Sequence, residues 1–414
     1  MNRRKFIKHS ALVSIGGIII PATFLSSCRK ETLFEDLNYA GKVLIIGAGA
    51  AGLYAGYILK SKGIDFQILE ATDKYGGRLG KLNGFADFPI DTGAQWLHGR
   101  NNILGDFITQ SKTKITLDNS DEYYWFKNQL TTSIPIDLNA EFLLEGLPDV
   151  SYEEYAAQKN WGSDYKYVVE NIAGDSGASA SKISAYGKVK EEENWVSGDE
   201  DFKFEETYFD FIDSQIASHI KDKILLNTIV TKIDYSSDTI TVSDSNNNLY
   251  TADKIIIAVP ITILKSNSIA FIPSLAIEKM DAFNKIGMEA GMKVYLRFSN
   301  KFYNQNIIGG SICAAYADET IGKIGNDNVL LAFIMGAQAE YLNALGNDTA
   351  IINALLTELD TMYNGQATAS YLNAFVQNWT NHPFIKGAYS YSTVGIGNSR
   401  EVAAESIDNK LFFA

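Results

Sequence analysis

The clearest pattern of apolar and polar positions begins at residue 42. The run 42–46 is apolar, and it is followed directly by the glycine-rich residues 47–52 and then by apolar residues at helical spacing to about Lys60. Residues 65–69 (DFQIL) predict a second strand, with Glu70 at its end. Short continuous apolar runs on either side of a helix are typical of buried parallel strands. The order strand, tight turn, helix and strand therefore predicts an α/β domain with a mainly parallel sheet.

The turn after the first strand has the spacing of a dinucleotide-binding fingerprint. Gly47 permits the tight turn, Gly49 lets the backbone approach a pyrophosphate, and Gly52 allows the helix to pack closely on the strand. Glu70, at the end of the second strand, is placed to bond the ribose hydroxyls. The predicted nucleotide contacts are Gly47, Gly49, Ala50, Ala51, Gly52 and Glu70.

Two later segments also have strand character. Residues 253–260 (DKIIIAVP) predict a buried strand, and 286–298 form a strand-like run that contains Lys293. Burial of a lysine in such a run is unfavourable unless a partner or a function supports it. Lys293 is therefore a candidate catalytic residue, and the alternative is a lysine on the solvent face of an edge strand.

The bulk composition excludes several classes of protein. The 414 residues are 46% hydrophobic and 21% charged, with a net charge of -13, so a nucleic-acid partner is not expected. The two cysteines, Cys28 and Cys313, and the four histidines are scattered without ligand spacing. Neither a metal site nor a disulfide framework is predicted.

Residues 1–28 have the pattern of a signal peptide. A basic start is followed by an apolar run from about Ala11 to Leu25 that is too short to span a bilayer comfortably. Arg3 and Arg4 resemble a twin-arginine export signal, and residues 25–28 (LSSC) resemble a bacterial lipobox. We expect export to the periplasm or cell envelope, with a possible lipid anchor at Cys28; an ordinary basic signal is the alternative.

Two motifs downstream of Glu70 carry a resemblance to a known family. Residues 76–78 (GGR) and 91–99 (DTGAQWLHG) resemble the flavin-containing amine oxidases. The resemblance implies FAD, with Arg78 on its phosphates and 91–99 beside the flavin ring, where glycines permit close approach. The implied contacts in this region are Gly77, Arg78, Gly93, Ala94, Gln95 and Trp96, although Trp96 also has the character of a core residue.

The same resemblance extends to the second half of the chain. It implies that Lys293 faces flavin N5 through a water, that Val230 lies near the adenine, and that Tyr389 forms an aromatic wall opposite the flavin. His98 matches a position near the substrate amine, where it would influence substrate choice rather than act as an obligatory base. Ala388 stands where monoamine oxidases carry the cysteine that binds FAD covalently, so we expect non-covalent FAD.

The resemblance also implies how the chain is divided. We expect a Rossmann-like FAD-binding domain of the GR2 type, made of 41–100, 205–262 and 386–414, and a mixed α+β substrate domain made of 101–204 and 263–385. Residues 411–414 resemble the strand that precedes the family's Gly-Glu-x-Thr segment. We therefore expect either a fragment or a protein without the second aromatic wall.

The function implied by the resemblance is oxidation of a small-molecule primary or secondary amine. The α-carbon would give a hydride to flavin N5, oxygen would reoxidise the flavin with release of hydrogen peroxide, and the imine would hydrolyse to an aldehyde. Two alternatives stay open. One is another flavoenzyme on the same scaffold, an amino-acid oxidase or a carotenoid-type desaturase, and the other is a tethered FAD-binding protein without catalysis.

Overall fold

The computed structural model describes residues 39–414. The predicted signal peptide, twin-arginine motif and lipidation site at Cys28 therefore lie outside the described residues. Within 39–414, no helix combines the length and the apolar character that crossing a bilayer requires.

The strands of the described chain build one parallel sheet, one large mixed sheet and several small sheets. They are β1 (Lys42–Ile46), β2 (Asp65–Leu69), β3 (Lys81–Leu82), β4 (Ile90–Asp91), β5 (Trp96–His98), β6 (Ile115–Leu117), β7 (Glu122–Phe126), β8 (Gln129–Thr131), β9 (Asp201–Phe204), β10 (Ile224–Leu225), β11 (Val230–Asp234), β12 (Ile240–Asp244), β13 (Leu249–Ala252), β14 (Lys254–Ile257), β15 (Ala270–Ile272), β16 (Ile286–Met288), β17 (Gly291–Phe298), β18 (Asn306–Ile308), β19 (Ala315–Asp318), β20 (Asn328–Met335), β21 (Tyr371–Asn378), β22 (Ser390–Ser392) and β23 (Leu411–Phe413).

The helices lie between these strands. They are α1 (Ala50–Ser61), α2 (Ile103–Ser111), α3 (Leu138–Glu141), α4 (Tyr152–Gln158), α5 (Lys166–Gly174), α6 (Ala185–Glu193), α7 (Tyr208–Gln215), α8 (Ile261–Lys265), α9 (Ile277–Lys285), α10 (Gly336–Ala344), α11 (Asp348–Tyr363), α12 (Gln366–Ser370) and α13 (Ser399–Ala404), with short 3-10 turns at Ser163–Tyr165, Ala217–His219 and Lys221–Lys223.

The parallel sheet is the nucleotide-binding half of the fold. Its strand order is β10-β2-β1-β14-β23, and Ile45 of β1 lies in register with Ile68 of β2 and Ile256 of β14. Leu44 and Ile45 are fully buried, and burial of such side chains stabilises a fold by about 1.5–3 kcal/mol each. The continuous apolar runs are explained by helices and loops that cover both faces of this sheet. The predicted α/β class is confirmed.

A second sheet, of order β13-β12-β11-β15, packs near the first through a shared apolar core. Residues 269–286, which the resemblance placed in the substrate domain, contribute Ile269, Ala282 and Phe283 to this core. They pack here because β15 pairs in parallel with β11 and α9 packs on α13. The nucleotide-binding half therefore extends past residue 262.

The largest sheet has the order β21-β17-β20-β19-β18-β7-β8 and forms the mixed α+β half. Strand β17 lies between two long antiparallel neighbours, with Lys293 opposite Phe333 of β20 and Gln377 of β21. Helix α11 covers one face with Leu355 and Leu359, both fully buried. Lys293 therefore lies on an interior strand and not on a solvent-exposed edge.

Candidate active site

The glycine turn after β1 is shaped by close contacts that exclude side chains at two of its three glycines. Gly47 has a φ of +102°, and a Cβ there would lie 2.6 Å from the Ala258 carbonyl oxygen. A Cβ on Gly52 would lie 2.0 Å from the Gly47 carbonyl oxygen. Gly49 differs, because its backbone is extended and a Cβ there would meet nothing within 4 Å. The N-terminus of α1 thus faces open space, where its N–H groups can receive an anion.

Glu70 holds this turn in place at the end of β2. One carboxylate oxygen accepts a hydrogen bond from the Ala48 N–H at 2.7 Å, and the other accepts from the Thr72 N–H at 2.9 Å and hydroxyl at 2.8 Å. A carboxylate has about four acceptor positions, so capacity remains for a ribose hydroxyl. The Thr228 N–H donates to the Glu70 carbonyl at 2.8 Å, which brings Val230 at the start of β11 close to this strand end.

The GGR turn packs against the glycine turn. A Cβ on Gly77 would lie 3.2 Å from the Gly49 Cα. The Arg78 guanidinium donates to the Ala388 carbonyl at 2.8 Å. Its side chain is accessible to solvent, yet the surrounding protein desolvates the cation and lowers its pKa. An accessible cation surrounded by protein lies in a cleft, and the Ala388 carbonyl takes only one of its five N–H donors.

Lys293 joins the large sheet to residues 91–95. It is 3% exposed, and its Nζ donates to the Gly93 carbonyl at 2.6 Å, to the Gln95 side-chain oxygen, and to the Asp91 carbonyl at 3.5 Å. Gly93 has no room for a side chain, because a Cβ would lie 1.7 Å from the Arg78 carbonyl oxygen. The backbone segment predicted to pass the flavin therefore contacts both Arg78 and Lys293.

Burial shifts the ionisation of the groups in this cluster toward their neutral forms. It lowers the pKa of Lys293 to about 8, an effect that nearby Glu319 and Asp91 oppose and that Lys203 and Lys323 reinforce. Burial likewise raises the pKa of the Asp91 carboxyl to about 7, although Lys323 opposes that shift. Ionisable groups shifted in this way concentrate at functional sites.

Tyr389 lies one residue beyond the carbonyl that Arg78 contacts. Its hydroxyl donates to the carbonyls of Gly174 at 3.0 Å and Asp175 at 3.1 Å, at the C-terminal end of α5. A Cβ on Gly177 would lie 2.8 Å from the tyrosine ring, so the ring is packed against that loop. The structure thus fixes the orientation of the aromatic ring next to the arginine.

The remaining predicted residues divide into exposed and packed positions. Ala50, Ala51 and Ala94 are exposed. The Trp96 indole donates to Asp118 at 2.8 Å and packs edge-on against Phe333, so it serves as a core residue between two sheets.

His98 lies at an exposed sheet edge. Its Nδ1 is 2.8 Å from an Asp201 carboxylate oxygen, and its ring packs edge-on against Trp195. The structure does not join His98 to the Lys293 cluster by any recorded contact among the described residues.

A sequence profile described as flavin containing amine oxidoreductase matches residues 50–191 and 210–414. The chain belongs to this family. The predicted family and the predicted FAD cofactor are therefore confirmed. The open space above Gly49, the unused acceptor capacity of Glu70 and the accessible Arg78 cation all fit a dinucleotide with anionic phosphates.

Curated relatives align with nearly the whole chain. Human lysine-specific histone demethylase 2 is 25% identical and aligns with 96% of this chain, which spans about half (53%) of that protein's length. Polyamine oxidase 1 of Zea mays is 24% identical, with 94% of this chain and 87% of the relative covered.

Solved structures share the fold. Cyclohexylamine oxidase from Brevibacterium oxydans superimposes with a TM-score of 0.75 at 21% identity, and wild-type putrescine oxidase bound to putrescine gives 0.75 at 18%. Each comparison covers 91% of this chain and 93% of the other.

Sequence reasoning missed the charged residues behind Lys293. Lys203, Glu319 and Lys323 have nearly inaccessible side chains but lie in segments where charged residues are usually solvated. Glu319 follows directly after β19, and the pattern of that strand gives no indication of a buried acid. Only the tertiary fold brings these residues within reach of residues 91–95.

Proposed function

We propose that this amine oxidoreductase is an FAD-dependent oxidase of small primary or secondary amines. In the overall reaction, an amine, oxygen and water would give an aldehyde, ammonia or a shorter amine, and hydrogen peroxide. The relatives named polyamine, putrescine and cyclohexylamine oxidase support an amine as the substrate class. The observation that carries the proposal is Lys293, a buried lysine held by the backbone segment that also contacts Arg78.

In the proposal, the chain holds FAD along the cleft described above. The ADP half would lie on the glycine turn. The residues that would contact it are Gly47, Gly49, Ala50, Ala51, Gly52, Glu70, Gly77, Arg78 and Val230. The ring would lie beside Gly93, Ala94 and Gln95. Bound FAD would supply the redox chemistry, as the acceptor of a hydride from the amine α-carbon and the donor of electrons to oxygen.

The protein's own contribution would be orientation and control of water. Of the three acceptors around Lys293 Nζ, the Asp91 carbonyl is the most distant, at 3.5 Å. A water at flavin N5 would replace this weakest contact while the Gly93 and Gln95 contacts keep the lysine in place. Tyr389 would orient the neutral amine by packing its ring against the substrate, and His98 would influence substrate choice.

The charged residues favour amines over amino acids as substrates. An amino-acid oxidase needs a cation that is available for the substrate carboxylate. The Arg297 guanidinium instead donates to Asp327 at 3.0 Å and to the Phe85 carbonyl at 3.1 Å, and the Arg100 guanidinium packs over the Phe202 ring. This pairing makes Arg297 a poor carboxylate receptor.

The test is an anaerobic titration of the FAD-loaded protein with monoamines, diamines, polyamines and amino acids. We expect one class of amine to bleach the flavin absorbance, and air to restore it with formation of hydrogen peroxide. Lys293→Met should slow bleaching at least tenfold, the usual size of effect for a group that acts at the reacting atoms. Lys114→Met, at an exposed lysine that pairs with Glu205, is the matched control and should behave like wild type. Bound flavin that no amine bleaches would contradict the proposal and favour a non-catalytic FAD-binding protein.

We further propose export to the cell envelope and lipidation at Cys28, which rest on the pattern of residues 1–28. Metabolic labelling with a fatty acid should modify the wild-type protein and leave Cys28→Ala unlabelled. Equal labelling of both proteins, or labelling of neither, would count against the anchor.

A further inference from the structure

A network of buried charged and amide side chains lies directly behind Lys293. Gln95 and Glu319 are each 1% exposed, and Lys203 is 2% exposed. The Glu319 carboxylate accepts from the Gln95 side-chain N–H at 3.1 Å and from the Lys203 ammonium at 3.2 Å. The oxygen of the same Gln95 amide accepts from Lys293. A continuous chain of hydrogen bonds thus runs from Lys203 to Lys293.

The chemistry of Glu319 determines which end of the Gln95 amide faces Lys293. An ionised carboxylate can only accept hydrogen bonds, so Glu319 selects the N–H end of the amide. The amide oxygen is then necessarily directed at Lys293, which as an ammonium can only donate. If the amide were reversed, two donors would meet at one end and two acceptors at the other. The order Glu319, Gln95, Lys293 therefore has one consistent arrangement.

The balance of charge makes Lys293 the least compensated member of the network. Lys203 pairs with Glu319 at 3.2 Å, and Lys323 lies 3.8 Å from the Asp91 carboxylate. The acceptors of Lys293 are instead neutral oxygens, two backbone carbonyls and the Gln95 amide. Asp91 is further constrained, because one carboxylate oxygen accepts from the Tyr208 N–H at 2.8 Å. Both Glu319 and Asp91 supply negative charge near Lys293, but only Glu319 is joined to it through the Gln95 amide.

We propose that Gln95 and Glu319 are positioning residues that hold the Lys293 side chain toward the flavin and keep it an ammonium. This inference rests on the proposed function, since it assumes that Lys293 faces the flavin ring. It assigns Gln95 a role different from a direct contact with FAD. Its amide transmits the charge of Glu319 to the lysine and fixes the direction of the Nζ–H bonds. The other ionisable groups near Lys293 stay unchanged in the test: Asp91, Lys203, Lys323 and Tyr295.

The test compares three variants of the FAD-loaded protein. Glu319→Gln removes the charge at its present position. The double variant Gln95→Glu/Glu319→Gln moves the charge one residue closer to Lys293, and the amide at 319 can still donate to position 95 and accept from Lys203. Glu358→Gln is the control: Glu358 is also a buried carboxylate, but it accepts from the Ile312 and Cys313 N–H groups and the Tyr316 hydroxyl in a separate part of the core.

The readout is the pH midpoint of the flavin absorbance change between pH 6 and 10, assigned to Lys293 by its loss in Lys293→Met. We expect Glu319→Gln to lower this midpoint by about one pH unit or more, since burial already lowers the pKa of Lys293 and Glu319 opposes that shift. The double variant should raise the midpoint, and Glu358→Gln should leave it unchanged while lowering thermal stability. If Gln95 and Glu319 had only a structural role, the two variants would not shift the pH midpoint in opposite directions.

The outcomes separate the inference from the proposed function. Two results would overturn the positioning role even if amines reduce the flavin. One is a wild-type protein without a Lys293-dependent transition, and the other is equal midpoints in the wild type, Glu319→Gln and the double variant. Opposite midpoint shifts without reduction by any amine would support the network and contradict the oxidase. If a variant binds no FAD, urea unfolding of the FAD-free proteins from pH 6 to 10 gives the same comparison. The alkaline rise in stability should then begin at lower pH in Glu319→Gln, and an unchanged onset would overturn the inference.

Discussion

Replacement of Gly49 by alanine separates binding of FAD from stability of the fold. Gly49 precedes α1 with φ -73° and ψ -179°, a conformation that alanine adopts without strain, and a Cβ there would meet nothing within 4 Å. The added methyl group would instead occupy the space above the helix N-terminus, where the pyrophosphate is expected. Gly49→Ala should therefore fold normally and bind FAD weakly.

The magnitude follows from the contacts that the methyl group would displace. Moving the pyrophosphate away from the helix N-terminus removes at least one hydrogen bond to a charged group, worth about 1.5–3 kcal/mol. Affinity for FAD should fall about ten- to hundredfold. The stability of the FAD-free protein should change by less than about 1 kcal/mol, the usual range for a residue that precedes a helix. Titration of FAD-free protein by flavin fluorescence and urea unfolding measure the two quantities.

Gly162 provides a matched control. It also precedes a helical turn in extended conformation, with φ -68° and ψ 165°, and a Cβ there would also meet nothing within 4 Å. Gly162→Ala should therefore reproduce the small stability effect without any change in FAD affinity. If Gly49→Ala binds FAD as tightly as Gly162→Ala does, the pyrophosphate does not lie over Gly49 and the assignment of the cleft is wrong.

Three further substitutions test the rest of the site. Arg78→Lys keeps the charge but loses the forked donor, so FAD affinity should fall about tenfold or more by titration, whereas equal affinity would exclude a bidentate contact. Burial lowers the pKa of Lys293 to about 8, so from pH 8 to its ordinary pKa of about 10.4 the unfolded chain binds a proton that the folded protein lacks. Wild-type stability should therefore rise with pH in this window by up to about 1.4 kcal/mol per pH unit, and Lys293→Met should remove this rise. A rise of the same size in Lys293→Met in urea unfolding would assign it to another group. Tyr389→Phe loses the hydrogen bonds to the Gly174 and Asp175 carbonyls, so the free energy of unfolding should fall by about 1 kcal/mol. Amine turnover should stay within about threefold of wild type because the ring remains, and loss of turnover would show that the hydroxyl itself acts.

The parts of this protein that the sequence predicted are those where local pattern and tertiary fold agree. The strands β1 and β2 and the glycine turn all lie within 42–70, so the hydrophobic pattern and the glycine spacing of this short segment were enough to predict them. Lys293 was also predictable as an exception to its surroundings, since a lysine in a strand-like run requires an explanation. The structure gives that explanation as three oxygen acceptors from residues 91–95.

The parts that could not be predicted depend on contacts between distant segments. Glu319 and Gln95 are 224 residues apart in the chain, and neither has a neighbour pattern that indicates burial. The domain assignment of 269–286 was missed for a similar reason, because pairing of β15 with β11 joins it to the nucleotide-binding half. Pairing of this kind follows from packing of the whole core and leaves no periodic signal in the strand itself.

The geometry of β17 also bears on how activity and stability are coupled in this family member. Lys293 and Tyr295 are two residues apart and so lie on the same face of the strand, and both donate to carbonyls of 91–93. Lys293, which we propose faces the flavin, therefore also joins the large sheet to residues 91–93. Its replacement by methionine would leave the Gly93 carbonyl without its recorded donor, which costs about 1–3 kcal/mol, while removal of a buried cation would offset part of that loss. Loss of turnover in Lys293→Met therefore reports a chemical role only if that variant keeps its bound flavin and the position of residues 91–95, which its flavin content and flavin spectrum would test.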